Sequence, residues 1–284
     1  MQRCMPYGMV VLVLLVLSDN DVMLVQAKSC TSSILVSTGD TIAGKNITNL
    51  FGVAALNNNG DVAFAANFND GTGIFTMSRG LVAAIGDTID GKNLIGFFAR
   101  PALNDWGDVV FTGFYSGGSG IFTPDVLLAG TGDTIDGKTL LGIIAGSVNE
   151  SGNVAYIGSF LGGNGIFSTE RGFMAGTGDP IGEKTLTSIS GDFALNDQGD
   201  VVFAGSFSSG LTSNGIFTPS EFVAGTGDTI DGKTLTRVEN PALNNWGDIV
   251  FTSEFSDAPR PKGGASRGSR APQTPACSDP GCPQ

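Results

Sequence analysis

Any reaction carried out by this chain would have to rest on carboxylates, because its 284 residues include no histidine. Ser-His-Asp and Cys-His nucleophile systems need an imidazole to take up the proton, and His-ligated zinc needs the ring nitrogen, so these classes are excluded. The most regular carboxylates come in pairs three residues apart within Gly-Asp-Thr-Ile-Asp-Gly-Lys: Asp87 with Asp90, Asp133 with Asp136, and Asp228 with Asp231. Asp/Gly loops of this kind are a common source of the oxygens that calcium requires, about six to eight per ion. Two acids per loop fall short of a full calcium loop, and Asp40-Thr41-Ile42-Ala43-Gly44 and Asp179-Pro180-Ile181-Gly182-Glu183 break the pattern. The competing reading is a polar connection between strands in which the Asp oxygens cap turn amides. Calcium therefore stands as the one candidate cofactor.

A second set of carboxylates is not repeated: Glu150, Glu170, Asp192, Glu221, Glu239 and Glu254. A pair of these at suitable separation could hydrolyse a glycoside, one acting as acid and the other as base or nucleophile. One position in the repeat also changes character from copy to copy, reading Val53, Arg100, Ala145, Asp192 and Asn240. If the strand carrying it lines a central channel, Arg100, Asp192 and Asn240 face that channel, together with Glu239. Trp106 and Trp246 occupy a variable turn position. Exposed indoles there could stack on sugar rings, but packing between neighbouring units is the expected role.

The elements that must position these residues are repeated. Gly-Asp recurs at 39–40, 86–87, 132–133, 178–179 and 227–228, in steps of 47, 46, 46 and 49 residues. A period in this range marks an array, a solenoid or a propeller. Each unit also carries Asn, then Gly three residues on, then an apolar run ending in an aromatic, at residues 56–64, 103–111, 148–156, 195–203 and 243–251. An Asx-turn and a glycine at positive φ make this motif a hairpin. Four strand-like pieces follow from the turn residues, at 96–103, 108–115, 120–123 and 126–129 in the second unit, and no stretch has helical periodicity. The strand after the motif is apolar on both faces, so it must be covered on both sides. Its fifth position is always Ala, Gly or Ser, and a large neighbour, such as the Phe of Gly-Ile-Phe, is expected to pack there.

These features predict an all-β fold, a β-propeller of four-stranded blades. A β-solenoid or open repeat array is the alternative. Four blades are expected at about 50–86, 96–132, 142–178 and 188–227. A fifth is split, with strands at 237–244 and 248–255 and a closing strand at 34–38, while the expected Gly-Ile-Phe-Thr after residue 257 is missing.

The motif spacing Asn57-Gly60-Ala63-Phe64, Asn104-Gly107-Val110-Phe111, Asn149-Gly152-Ala155-Tyr156, Asn196-Gly199-Val202-Phe203 and Asn244-Gly247-Val250-Phe251 resembles the bacterial secreted NxxGxxAF tandem-repeat proteins, also called choice-of-anchor proteins. The resemblance covers about residues 34–256. It implies a secreted or surface-attached repeat protein without an assigned activity. The chain departs from that family in having no hydrophobic anchor after the repeats, which favours release.

The rest of the chain bears on its address. Residues 1–27 read as a signal peptide, with Arg3, an apolar run at 9–17 and Val25-Gln26-Ala27 before the cleavage point. Residues 28–256 form the repeat domain, and the Pro/Gly/Ser/Arg-rich stretch 257–284 is predicted to be disordered. The predicted localisation is therefore secreted, either extracellular, periplasmic or on the cell surface, with no membrane span after signal cleavage. Cys30, Cys277 and Cys282 lie outside the repeats and permit one disulfide in an oxidising compartment, its pairing open. The sequons at Asn46 and Asn149 matter only in a eukaryotic secretory route. Between residues 28 and 256 there are 10 basic and 23 acidic residues, a balance of −13 that argues against nucleic acid as a partner. The reading that follows is a secreted, non-catalytic module that binds or scaffolds an extracellular ligand, carbohydrate or protein. The alternatives are a secreted carbohydrate-active enzyme using channel carboxylates and a calcium-dependent adhesin.

Overall fold

The computed structural model describes residues 2–3, 31–32, 34–208, 212–256 and 265–267, all in strands, turns and loops without a helix. Residues 1–27, expected to be a signal peptide (apart from Gln2–Arg3, which pairs with Thr31–Ser32), all four cysteines and the stretch 257–284 (apart from Ala265–Arg267) lie outside the described residues.

Five antiparallel meander sheets follow one another along the chain. The first comprises Thr41–Ile42, Lys45–Leu56, Val62–Phe68, Gly71–Thr76 and Gly80–Ala84. The third comprises Thr134–Ile135, Lys138–Val148, Val154–Phe160, Gly163–Ser168 and Gly172–Gly176. The second and fourth, starting at Thr88–Ile89 and Pro180–Ile181, repeat this order. The sheets therefore begin earlier than the sequence predicts, because Gly-Asp-Thr-Ile-Asp-Gly-Lys is a β-hairpin and not a plain connection. Its two turn residues have positive φ, 47° at Asp90 and 71° at Gly91, the conformation that two-residue hairpins require and that Asp-Gly tolerates best. The lysine that ends the motif lies over an aromatic ring of the same sheet: Lys92 over Tyr115 at 4.8 Å, Lys138 over Phe160 at 4.7 Å and Lys184 over Phe207 at 5.0 Å. Its apolar stem and its charge both favour that seat.

The cores lie between sheets, which is the hallmark of a propeller. The core between the first two sheets combines Ala65, Ile74 and Ala83 of one with Leu94, Val109, Phe111 and Phe122 of the next. The second and third, third and fourth, and fourth and fifth sheets share cores built the same way. This accounts for strands apolar on both faces: alternate residues of Val109–Tyr115 serve two different cores. The small fifth position of that strand also finds its predicted neighbour, since a Cβ added at Gly113 would sit 3.0 Å from the Phe122 ring. Phe122 in turn stacks on Phe111, with ring centroids 5.8 Å apart.

The fifth sheet differs. It runs Thr229–Ile230, Lys233–Leu243, Ile249–Phe255 and Ala265–Arg267. The expectation that its third strand is absent is thus corrected: Ala265–Arg267 pairs with Ile249–Phe255, Thr252 opposite Ala265 and Phe251 opposite Ser266. The expected closing strand at 34–38 is also corrected. Residues 34–38 form no strand, although Val36 packs on the core of the first sheet in the place that Ala83 takes one unit later.

Candidate functional site

Each long first strand loses register with its partner near the unit-variable position. The slips fall between Phe51 and Ala55, between Ile143 and Ala145, between Ile189 and Phe193, and between Glu239 and Ala242, and in the second sheet the strand breaks between Phe97 and Ala102. Such bulges re-aim side chains. Here they present Val53, Arg100, Ala145, Asp192 and Asn240, one from each sheet, to a single cavity of about 310 Å³. Convergence of five strands on one cavity shows that the sheets are arranged around a channel, as the sequence predicts. Backbone contacts fix the site: the Val53 amide donates to the Ala99 carbonyl at 2.9 Å, joining the first two sheets, and Asn240, at φ 51°, donates from Nδ2 to Thr252 Oγ1 at 3.1 Å.

Arg100 and Asp192 give this cavity one positive and one negative wall residue. Neither makes an ion pair within 4.0 Å among the described residues. Glu239, expected beside them, is not there. It is turned to Arg237, at 2.6 Å, because the strand's alternation sends it to the opposite side from Asn240. Asp192 is therefore the single carboxylate among the described lining residues, and no carboxylate pair of the glycosidase type is assembled in the cavity.

A larger furrow of about 690 Å³ crosses the outer ends of the third, fourth and fifth sheets, lined by Met174, Phe222, Leu243 and Ile249 among others. Its charges are already satisfied within the fold: Arg171 pairs with Asp200 at 3.4 Å and donates to the Gln198 carbonyl at 2.5 Å. The smaller cavity, with charges left for a ligand, is the better candidate.

The two tryptophans lie apart from the channel. Packing between sheets is overturned for both, since Trp106 is 77 % and Trp246 89 % exposed. The reason lies two residues earlier. The motif asparagine is the buried member of the turn: its Oδ1 accepts from the amide four residues on, and its Nδ2 reaches the next sheet. Asn57 donates to the carbonyl of Asn104 at 2.9 Å, Asn104 to that of Asn149 at 3.0 Å, Asn149 to that of Asn196 at 2.9 Å, and Asn196 to that of Asn244 at 3.3 Å. Sequence reasoning found the Asx-turn but missed this ladder, for which the spacing of one asparagine per unit was the available signal.

A second ladder runs through the next motif position. The Asp105 carboxylate accepts from the Asn58 amide, Glu150 from the Asp105 amide at 2.8 Å, and Asp197 from the Glu150 amide at 3.0 Å. Glu150 is held above its ordinary pKa, chiefly by burial and further by the neighbouring carboxylates Asp105, Asp197 and Asp108, against the pull of the Asp105 amide.

The paired aspartates are divided between separate tasks. The first of each pair caps its own turn: Asp87 Oδ2 accepts from the Ala84 amide at 2.7 Å, and Asp133 and Asp228 accept in the same way from Gly130 and Gly225 at 2.8 Å. The second reaches across the sheet to its last strand, Asp90 accepting from the Leu127 amide and Asp136 from the Phe173 amide, both at 2.8 Å. Asp231 stands at φ 51° in the same hairpin position. Among the described residues no three His, Cys, Asp or Glu side chains gather to hold a metal ion.

No family model matches the chain, and no curated protein does. Among solved structures it is similar to one described as the Dos1 propeller, at 11 % identity and a TM-score of 0.33, covering 74 % of this chain and 52 % of that one. The chain thus spans about half the length of the solved propeller it matches. The molecule is a β-propeller, as its own sheets, shared cores and channel show. Among the described residues no helix is long and apolar enough to cross a membrane.

Proposed function

We propose that the protein is a secreted, non-catalytic binding module that takes a small ligand carrying both charges in the channel. The observation that carries this reading is the pair Arg100 and Asp192: opposite charges from different sheets, on one cavity of about 310 Å³, without an ion pair to each other. A ligand carboxylate suits the planar guanidinium, and a ligand ammonium or cluster of hydroxyls suits the carboxylate. Secretion rests on the sequence of residues 1–27 and on the resemblance to secreted NxxGxxAF repeat proteins. Calorimetric titration with a panel of free α-amino acids and sugar acids tests it. At least one member binds the parent protein, and Arg100→Ala and Asp192→Asn each weaken that binding at least tenfold. Absence of binding across the panel, or affinities unmoved in both variants, overturns the reading.

A second reading is favoured by the exposure of Trp106 and Trp246, whose indoles are free to stack on sugar rings. It predicts glycan-array binding that disappears with Trp106→Ala and Trp246→Ala while Arg100→Ala leaves it intact.

A further inference from the structure

Four of the five sheets carry Gly-Ile-Phe on their third strand, and its two large side chains do different work. The isoleucines Ile74, Ile121, Ile166 and Ile216 are 0 % exposed, and each completes the core shared with the following sheet, in company with Ala83, Ala129, Ala175 and Ala224 in turn. The phenylalanines Phe75, Phe122, Phe167 and Phe217 stack on the aromatic of the second strand in their own sheet. In the fifth sheet the third-strand slot is taken by Ala265–Arg267, with Ala265 in the register of isoleucine and Ser266 in that of phenylalanine.

The consequences are visible on both sides of the slot. Val250, whose counterparts Ala63, Val110, Ala155 and Val202 are at most 1 % exposed, is 41 % exposed. Phe251, unlike Phe111 or Phe203, has no stacked ring among the described residues. Across the gap, the facing core of the first sheet is built from that sheet's own residues with Val36 alone added from outside, and Ile34 nearby is 84 % exposed. Alternate residues of Ile249–Phe255 thus serve two seams: Phe251 lies in the core shared with the fourth sheet, and Val250 faces the first sheet, whose core and Val36 form the floor on that side. In the other sheets the Ile enters the core shared with the following sheet and the Phe enters the core on the opposite face; among the described residues the fifth sheet offers neither, so its third-strand slot lacks both anchors.

We infer that this third-strand slot is a strand-acceptor site, and that its occupant is an extended segment of a partner chain bearing Gly-Ile-Phe. The segment adds antiparallel to Ile249–Phe255 with its Ile opposite Thr252 and its Phe opposite Phe251, the register of Ile121 on Thr112 and Phe122 on Phe111. It displaces Ala265–Arg267, drives its Ile between Val250 and Val36 on the side of the first sheet, and stacks its Phe on Phe251 on the opposite face, toward the fourth sheet. Main-chain bonds supply part of the affinity, and the two pockets supply the selectivity.

The test uses the full-length protein and two synthetic peptides, Asn-Gly-Ile-Phe-Thr and its Asn-Gly-Ala-Ser-Thr counterpart, with binding read by fluorescence anisotropy and thermal melting. The first peptide binds saturably and raises the melting midpoint, and the second binds at least tenfold more weakly. The double substitution Ala265→Ile with Ser266→Phe supplies the anchors within the chain, raises the midpoint by roughly 4–8 °C and abolishes peptide binding. Val250→Asp, at a position exposed enough to tolerate charge, weakens peptide binding at least tenfold without lowering the midpoint, which guards against a double variant that misfolds. Equal binding of the two peptides overturns the inference, as does binding that survives unchanged in Val250→Asp.

Discussion

The asparagine of the repeat motif illustrates how one side chain can serve a turn and an interface together. Asn149 is buried; its Oδ1 accepts from the Asn153 amide at 2.9 Å, and its Nδ2 donates to the Asn196 carbonyl at 2.9 Å. Asn149→Ala leaves the part-buried Asn153 amide without its acceptor and removes one of the two donors on the Asn196 carbonyl, which keeps the Gly199 amide, so it should lower stability by about 1–3 kcal/mol in urea unfolding. Asn149→Asp keeps the acceptor and loses the donor, and should fall between the two. The turn function was legible in the sequence because Asx chemistry is local. The link to the next sheet was not, because it depends on which carbonyl the fold brings within reach. Glu150 beside it makes a pH prediction. Its folded pKa lies above its ordinary value of 4.5, so the folded state holds the proton more tightly than the unfolded chain does. That contribution is fully present below 4.5 and is lost as pH rises through the folded value. Glu150→Gln keeps an acceptor for the Asp105 amide but does not titrate. Unfolding midpoints from about pH 4 to about pH 7 should show the variant gaining on the parent as pH rises. A constant difference would mean that neither burial nor the neighbouring carboxylates hold Glu150 above its ordinary value in the folded state.

Among the elements, the second strand of each sheet was the easiest to read, and the hairpin before the first strand was the hardest. Val109–Tyr115 announces itself by being apolar on both faces, which only a strand between two cores requires. Thr88–Ile89, by contrast, is two residues long and carries its signal in the turn, Asp90-Gly91, where the aspartate reads equally well as a cation ligand. The structure gives Asp90 a different partner, the Leu127 amide, so the hairpin folds over its sheet and clips the first strand to the last. The expected outcome with metal follows: adding calcium or removing it with a chelator should leave the melting midpoint unchanged, whereas Asp136→Ala, which frees the Phe173 amide, should lower it. A calcium-dependent rise in the midpoint would favour the metal reading. The bulges that present Arg100 and Asp192 were legible only as a position of changing residue type. Their geometry is set by how far each first strand must bend to meet the channel, and no single strand contains that information.

The whole ring has a direction that its repeats conceal. Sheets two, three and four each share cores with two neighbours, whereas among the described residues the fifth shares a full core with the fourth alone. Stability in a repeat architecture is close to a sum of unit terms and nearest-neighbour terms, so a unit missing one neighbour opens at lower free energy. The fifth sheet also lacks the Ile-Phe pair, and the asparagine ladder ends there: the Asn244 Nδ2 bonds Asp248 of its own turn, with no carbonyl of the first sheet among its described partners. Native-state hydrogen exchange should therefore show a gradient. Amides of Ile249–Phe255 exchange first, by local opening with little denaturant dependence, while those of Val154–Phe160 in the third sheet exchange only on global unfolding. Phe251→Ala, which removes a buried ring from the core between the fourth and fifth sheets, should speed exchange in the fifth sheet and leave the third within error. Uniform exchange across the five second strands, or an equal response of all sheets to Phe251→Ala, would mean that the seam is sealed and the ring unfolds as one cooperative unit.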